Sequence, residues 1–313
     1  MIDSRLMEAG SAPAIPVTTI TGARAGPVLA LVAGNHGYEY PPILALQRLR
    51  AQIDDARLAG TVILVHVANL PSFLGRTVYF SPADGKNLNR VYPGRADGTV
   101  SEQIAYAITK QVIEKCDYLL DLHCGDGNES LRPYVYQTVT ADERMNGEIA
   151  RLALAFGIDH ILIDRGRPTD PEASLYCSTT GITRGKPAVT IESGLLGMTD
   201  DESVERIVAG VRGVMRELKM TDDGPPPVAK PVYLDPSVVI ASPETGLLYP
   251  LVERDQTVSE GAPVARITDF FGRETAIART PIGGKVLYVV ATPPITKGQP
   301  VACVGMPVSS RPA

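Results

Sequence analysis

An α/β fold with a small all-β region behind it is the architecture predicted by this chain of 313 residues. Three observations carry the prediction. Apolar strands alternate with helical patterns up to about residue 219, polar residues with reactive side chains stand at the ends of several strands, and helical periodicity stops after a proline-rich break. Residues 27–33 read as a buried strand, and the turn Gly34-Asn35-His36-Gly37 closes it ahead of Pro41-Pro42, where proline suits the first turn of a helix. Ile43, Leu44, Leu46 and Leu49 then recur at helical spacing. A second strand, 61–68, is rich in β-branched residues; a third, 117–123, follows a helix opening at Ser101-Glu102-Gln103-Ile104. Residues 187–192 form another apolar strand, and Thr199-Asp200-Asp201-Glu202 reads as a capping box for a helix reaching about Lys219. The residues up to about Thr21 are expected to add a strand whose partner the sequence leaves open.

The break is Thr221-Asp222-Asp223-Gly224-Pro225-Pro226-Pro227, a polar stretch that a packed domain does not need, so it separates residues 1–224 from residues 225–313. Beyond it the sequence repeats itself. Gly246-Leu247-Leu248-Tyr249, Val258-Ser259-Glu260-Gly261 and Pro263-Val264-Ala265-Arg266-Ile267 are echoed by Gly284-Lys285-Val286-Leu287, Ile295-Thr296-Lys297-Gly298 and Pro300-Val301-Ala302-Cys303-Val304. Two half-repeats of short strands predict a small pseudo-symmetric β barrel or sandwich. This tail resembles the biotinyl/lipoyl-carrier fold, in which the modified lysine sits on the hairpin between the halves. Here that hairpin, near Asp269-Phe270-Phe271-Gly272-Arg273, has no lysine, so a structural or substrate-gating role is expected.

Composition narrows the partners. A net charge of −5 and a pI near 5.5 give no basic footprint for nucleic acid or an anionic membrane, so a small molecule or peptide is expected. The chain has no apolar run of about eighteen residues, and its start, Met1-Ile2-Asp3-Ser4-Arg5-Leu6, lacks the pattern of a signal peptide. A cytoplasmic location is therefore expected. Cys116, Cys124, Cys177 and Cys303 lack C-x-x-C spacing, which argues against a disulfide framework or an all-cysteine zinc site. Cys124 follows His123, but strand neighbours point to opposite faces, which makes it a packed thiol. Whether copies of the chain assemble into a homo-oligomer is left open.

Gly34-Asn35-His36-Gly37-Tyr38-Glu39 and Asp121-Leu122-His123 carry the chemistry. A tight turn can aim His36 and Glu39 at one point, and the remote His123 can close the set. Two histidines and one carboxylate, with a fourth position left for water, form the ligand set of a hydrolytic rather than a structural zinc site. Asp121 shares a strand face with His123 and would orient an imidazole. Glu192, ending an apolar strand, costs solvation energy that a proton-shuttling role would justify; a strand-end residue in solvent or an ion pair is the other reading. In Asp84-Gly85-Lys86-Asn87-Leu88-Asn89-Arg90-Val91-Tyr92-Pro93-Gly94, Arg90 offers a planar fork for a carboxylate and Asn89 a neutral donor. Arg76 is either a source of positive charge for an oxyanion or a solvated surface arginine. His66, inside an apolar strand, reads as packed and hydrogen-bonded, and His160 as a surface residue in a short turn.

Together these motifs resemble the succinylglutamate desuccinylase/aspartoacylase family, relatives of the zinc carboxypeptidases. The likeness runs from about Val28 to Gly197 through G-x-H-G-x-E, D-G-K-N-L-N-R-x-Y-P-G, D-L-H and E-x-G, in that order. It implies a zinc-carboxypeptidase-like domain with a mixed central sheet flanked by helices. It also implies one Zn2+ on His36, Glu39 and His123, Glu192 as general base and acid, and Asn89 with Arg90 at a substrate carboxylate. The family usually carries an arginine shortly before the D-G-x-N-L-N-R segment, often in a Thr-Arg pair. Arg76 fits some members' register, whereas the position after Thr77 holds Val78. Arg184 would reach the substrate as an arginine upstream of the catalytic glutamate does in some members.

The expected function is a zinc-dependent amidohydrolase that cleaves an N-acyl amino acid to a carboxylate and a free amine. A metallocarboxypeptidase acting on peptide C-termini and a non-catalytic zinc-binding interaction module are the alternatives. Specificity falls to Tyr38-Glu39-Tyr40 and residues 165–176.

Overall fold

Two strands, β1 (Ile2–Ala9) and β2 (Ala12–Thr21), precede β3 (Arg24–Ala33), the first apolar strand of the sequence. The computed structural model describes residues 1–310. β2 pairs antiparallel with β4 (Ala59–Val65), so the N-terminal segment extends the α/β sheet. Between β3 and β4 runs α1 (Tyr40–Gln52), with Pro41 and Pro42 in its first turn, where proline's missing N–H costs no helical bond. A short α2 (Leu70–Gly75) and α3 (Val100–Gln111) lead to β5 (Tyr118–His123). Thr99 and Glu102 form a capping box that fixes where α3 begins.

The next stretch was less legible in the sequence. It contains β6 (Glu129–Leu131), β7 (Tyr134–Thr138), α4 (Glu143–Phe156), β8 (His160–Asp164), α5 (Cys177–Ile182) and β9 (Ala188–Glu192). The following helix, α6 (Asp201–Glu217), starts one residue later than the capping-box reading, because Asp200 rather than Thr199 accepts the Ser203 N–H at 2.8 Å. His160 also differs from expectation. It opens β8 instead of lying in an exposed turn, is buried, and lies 2.9 Å from an Asp159 carboxylate oxygen.

The sheet is mixed. β4, β3, β5 and β9 are parallel neighbours, β9 pairs antiparallel with β7, and β7 pairs in parallel with β8. α1 and α4 both pack on α6, α3 lies against β1 and β2, and α5 lies against β5 and β9. One large core of aliphatic side chains, including Leu29, Leu46, Leu64, Ile104 and Leu120, fills the space between these layers. Among the described residues no helix is long and apolar enough to cross a membrane.

Residues 218–231 form no helix or strand, and the chain then returns to the same sheet. β10 (Val232–Ala241) pairs in parallel with β8, which carries the sheet into the C-terminal region. That region adds β11 (Gly246–Pro250), β12 (Thr257–Val258), β13 (Pro263–Thr268), β14 (Glu274–Arg279), β15 (Gly284–Val290), β16 (Pro294–Ile295) and β17 (Pro300–Val308). They form two four-strand layers, β10-β17-β15-β12 and β14-β13-β11-β16, whose side chains meet in one apolar cluster. The internal repeat explains the arrangement. β11 lies between β13 and β16 as its echo β15 lies between β17 and β12, so each half lends its shortest strand to the other layer.

Candidate active site

Parallel pairing sets the site. β3, β5 and β9 run in the same direction, so Ala33, His123 and Glu192 come out at one edge of the sheet, and His123 and Glu192 are direct register partners. The turn after β3 brings His36 and Glu39 to the same place. Gly37 has no substitute there, since a Cβ would lie 2.0 Å from the Phe73 nitrogen of α2. Asn35, fully buried, ties the turn to β5 by donating to Asp121 at 2.8 Å and accepting from the Tyr92 hydroxyl at 2.9 Å.

His36, Glu39 and His123 each direct one ligand atom into a cluster with all three within 4.8 Å of one another. Glu39 is the centre, its two oxygens lying 2.8 Å from His36 Nδ1 and 2.9 Å from His123 Nδ1. The outer nitrogen of each ring is occupied as well. His36 Nε2 sits 3.0 Å from Asn87 Oδ1, and His123 Nε2 sits 2.9 Å from Asp121 Oδ1, the partner expected from the shared strand face. Two imidazoles held in this way, with a buried carboxylate between them, fit a zinc ion by donor type and by the groups that orient the rings. Burial alone would raise Glu39, but His123 and His36 outweigh it and hold the carboxyl at about 2. Burial would lower both histidines, yet Glu39 raises His36, and Asp121 with Glu39 raises His123 further.

Glu192 faces the cluster across a cleft of about 260 Å³ that joins a smaller lobe of about 90 Å³. No described side chain or backbone group donates a hydrogen bond to its carboxylate, which burial pushes well above the ordinary value. Cys124 also lines the cleft, with a thiol that burial raises and that donates to the Gly125 carbonyl at 3.3 Å.

The remaining expected residues scatter in instructive ways. Arg90 lines both lobes, its guanidinium 4.6 Å from the centre of the Tyr176 ring. Asn89 is buried beside it, but its amide is engaged: the oxygen accepts from Cys177 N at 2.7 Å, and the nitrogen lies 3.1 Å from His123 Nε2. In this geometry Asn89 steadies His123. Arg76 is exposed at the left-handed cap of α2 and is not among the cleft's lining residues. Arg184 also stands outside the lining; its guanidinium donates to the Pro171 carbonyl at 2.9 Å and pairs with Glu114 and Glu172.

Residues not singled out in the sequence complete the cleft. Arg167 lies with its guanidinium 4.0 Å from the centre of the same Tyr176 ring and pairs with Asp164, so two guanidinium groups stand against one aromatic side chain in the small lobe. Its position within the flagged 165–176 segment was the only signal. Tyr79, Glu129, Tyr134 and Tyr288 line the large lobe. Tyr288 comes from β15, so the C-terminal region supplies part of the cleft wall together with Gln299 and Pro300. His66 lies elsewhere, half-buried with Nε2 2.9 Å from the Thr18 hydroxyl.

Comparison with known proteins agrees with this arrangement. Residues 25–218 match the succinylglutamate desuccinylase/aspartoacylase catalytic domain. The N-alpha-acetyl-L-2,4-diaminobutyric acid deacetylase of Halomonas elongata is 32% identical over 266 residues, which span 82% of this chain and 74% of that protein. A succinylglutamate desuccinylase from a Silicibacter species superposes with a TM-score of 0.85 at 25% identity, covering 98% of this chain and 95% of the other. The product-bound ectoine utilization protein EutE of Ruegeria pomeroyi gives 0.86 at 25% identity, with coverage of 97% and 95%. By its matched domain and its relatives, this chain belongs to the succinylglutamate desuccinylase/aspartoacylase family.

Proposed function

We propose that this chain is a zinc-dependent amidohydrolase that releases a free amine and a carboxylate from an N-acyl amino acid. The observation that carries the reading is the register pairing of His123 with Glu192, which sets a carboxylate without a donor among the described residues beside a two-histidine, one-carboxylate cluster. His36, Glu39 and His123 would hold the zinc. When bound, zinc supplies the positive charge that makes water and an amide carbonyl reactive near neutral pH. Glu192 takes the proton from the attacking water and returns it to the departing nitrogen, a two-way role suited to a carboxyl that burial has raised. Arg90 and Arg167 give the small lobe a cationic wall that holds the amino acid's carboxylate, and Asn89 and Asp121 keep His123 oriented. Arg76 and Arg184 receive no role in this scheme.

We also read the chain as a hydrolase domain, 1–224, and a C-terminal β domain, 225–313. The two-layer arrangement and internal repeat support a carrier-like fold. The lining residues Tyr288, Gln299 and Pro300 support a substrate-gating role rather than a carrier one. The acetylated diamino acid named for the Halomonas relative is the first substrate to test. The experiment is a panel of acetyl, succinyl and aspartyl amides plus a short peptide, offered to zinc-loaded and chelator-treated protein. Amine release from N-acyl amino acids that is lost on chelation and restored by zinc supports the proposal. Trimming of the peptide alone supports a carboxypeptidase, and bound zinc without turnover of any of these compounds supports a zinc-binding interaction module.

A further inference from the structure

Three carboxylates line the cleft, Glu39, Glu129 and Glu192, and the scheme above leaves one of them without work. Glu129 opens β6, the short strand that pairs with β15 of the C-terminal region. Its Oε1 accepts the Tyr79 hydroxyl at 2.5 Å, while its Oε2 has no donor among the described residues. Nearby Asp126 is different, because both of its oxygens are taken by backbone N–H groups, from Tyr79 at 2.9 Å and Gly127 at 2.6 Å. Glu129 therefore keeps a free oxygen in the cleft.

Holding that oxygen there is costly. Tyr79 adopts a φ of +58°, a left-handed conformation that a bulky aromatic residue rarely tolerates. The neighbouring carboxylates Asp126 and Glu39 both disfavour a negative charge on Glu129, and burial disfavours it more. If Glu129 served only to accept the Tyr79 hydroxyl, a neutral glutamine would do so without the charge. A cationic ligand group changes the balance. An ammonium would pair with the free oxygen and meet the tyrosine rings of the lobe, whereas a second carboxylate would face like charge.

We propose that Glu129 selects substrates whose amino acid side chain ends in an ammonium group, with Tyr79 holding Glu129 in position. This rests on the deacylase reading above. The small lobe, with Arg90 and Arg167, takes the α-carboxylate, and the large lobe, with Glu129, Tyr79 and Tyr288, takes the side chain.

The test compares kcat/KM for Nα-acetylornithine and Nα-acetyl-2,4-diaminobutyrate with neutral N-acetylnorvaline and acidic N-acetylglutamate, using zinc-loaded protein. The wild type is expected to prefer the ammonium substrates over the neutral one by roughly 10- to 100-fold. Glu129→Gln keeps the size and the acceptor for Tyr79, and should lower that preference at least roughly ten-fold, mostly through KM. Glu129→Asp, which restores the charge, should recover part of it. A preference unchanged in Glu129→Gln, or a wild type that prefers the acidic or neutral side chain, overturns the assignment while leaving the deacylase reading intact. A zinc-loaded wild type that hydrolyses none of the four overturns both.

Discussion

The two walls of the cleft are built by different means. On one side stand the ends of β3, β5 and β9, where parallel pairing puts His36, Glu39, His123 and Glu192 together and Asn35, Asn87, Asn89 and Asp121 brace the set. On the other stand Tyr79, Glu129 and Tyr288, held by a strained loop, a three-residue strand and a C-terminal strand. The first wall is a rigid network in which each group fixes the next. The second depends on contacts between segments distant in the chain, and it is where relatives sharing the same chemistry can differ in what they accept.

That contrast also explains what the sequence could reveal. His36 and Glu39 lie within one turn, and His123 and Glu192 each end an apolar run, so local pattern was enough to find them. Arg167 and Glu129 carry no comparable local signal. Arg167 reaches Tyr176 because β8 and its following loop fold back onto the cleft, and Glu129 faces it because β6 pairs with β15. Arg76 and Arg184 show the opposite case, sequence candidates that the fold leaves outside the cleft lining. Each is an arginine at an approximate motif distance, yet α2 ends in a left-handed cap that leaves one exposed, and Pro171, Glu114 and Glu172 hold the other. The fold shows the same division. Long apolar strands and proline-initiated or acid-capped helices were readable, whereas β7, with buried Gln137 and Thr138, and α5, all buried but rich in serine and threonine, lack a clear period.

Three substitutions sharpen the comparison, in decreasing order of effect. Asp121→Ala removes the brace on His123, and zinc affinity measured by competition with a chelator should fall roughly 10- to 100-fold. Unchanged affinity would show that the bracing wall is less rigid than described. Tyr288→Ala opens the other wall, so KM for a hydrolysed N-acyl amino acid should rise roughly ten-fold with kcat changing much less. A matching fall in kcat would place Tyr288 with the chemistry instead. Asp84→Ala lies outside both walls. Its carboxylate accepts the Ser101 N–H and hydroxyl, each at 2.8 Å, at the start of α3, and thermal or denaturant unfolding should report a loss of about 1 kcal/mol. Burial would raise Asp84, but hydrogen bonds from Ser101, Thr99 and Lys86 hold it below the usual value. Its contribution is therefore present above the unfolded carboxyl value of about 3.9 and is lost as pH falls through the lower folded value.

The most direct test of the account is zinc content and turnover measured together in Glu192→Gln. Because the Glu192 carboxylate accepts no hydrogen bond from the described residues and lies outside the ligand cluster, the variant should bind zinc as the wild type does. Its kcat should fall by about 10²- to 10⁴-fold. A variant that keeps full turnover with its zinc would contradict the central claim that Glu192 moves the proton.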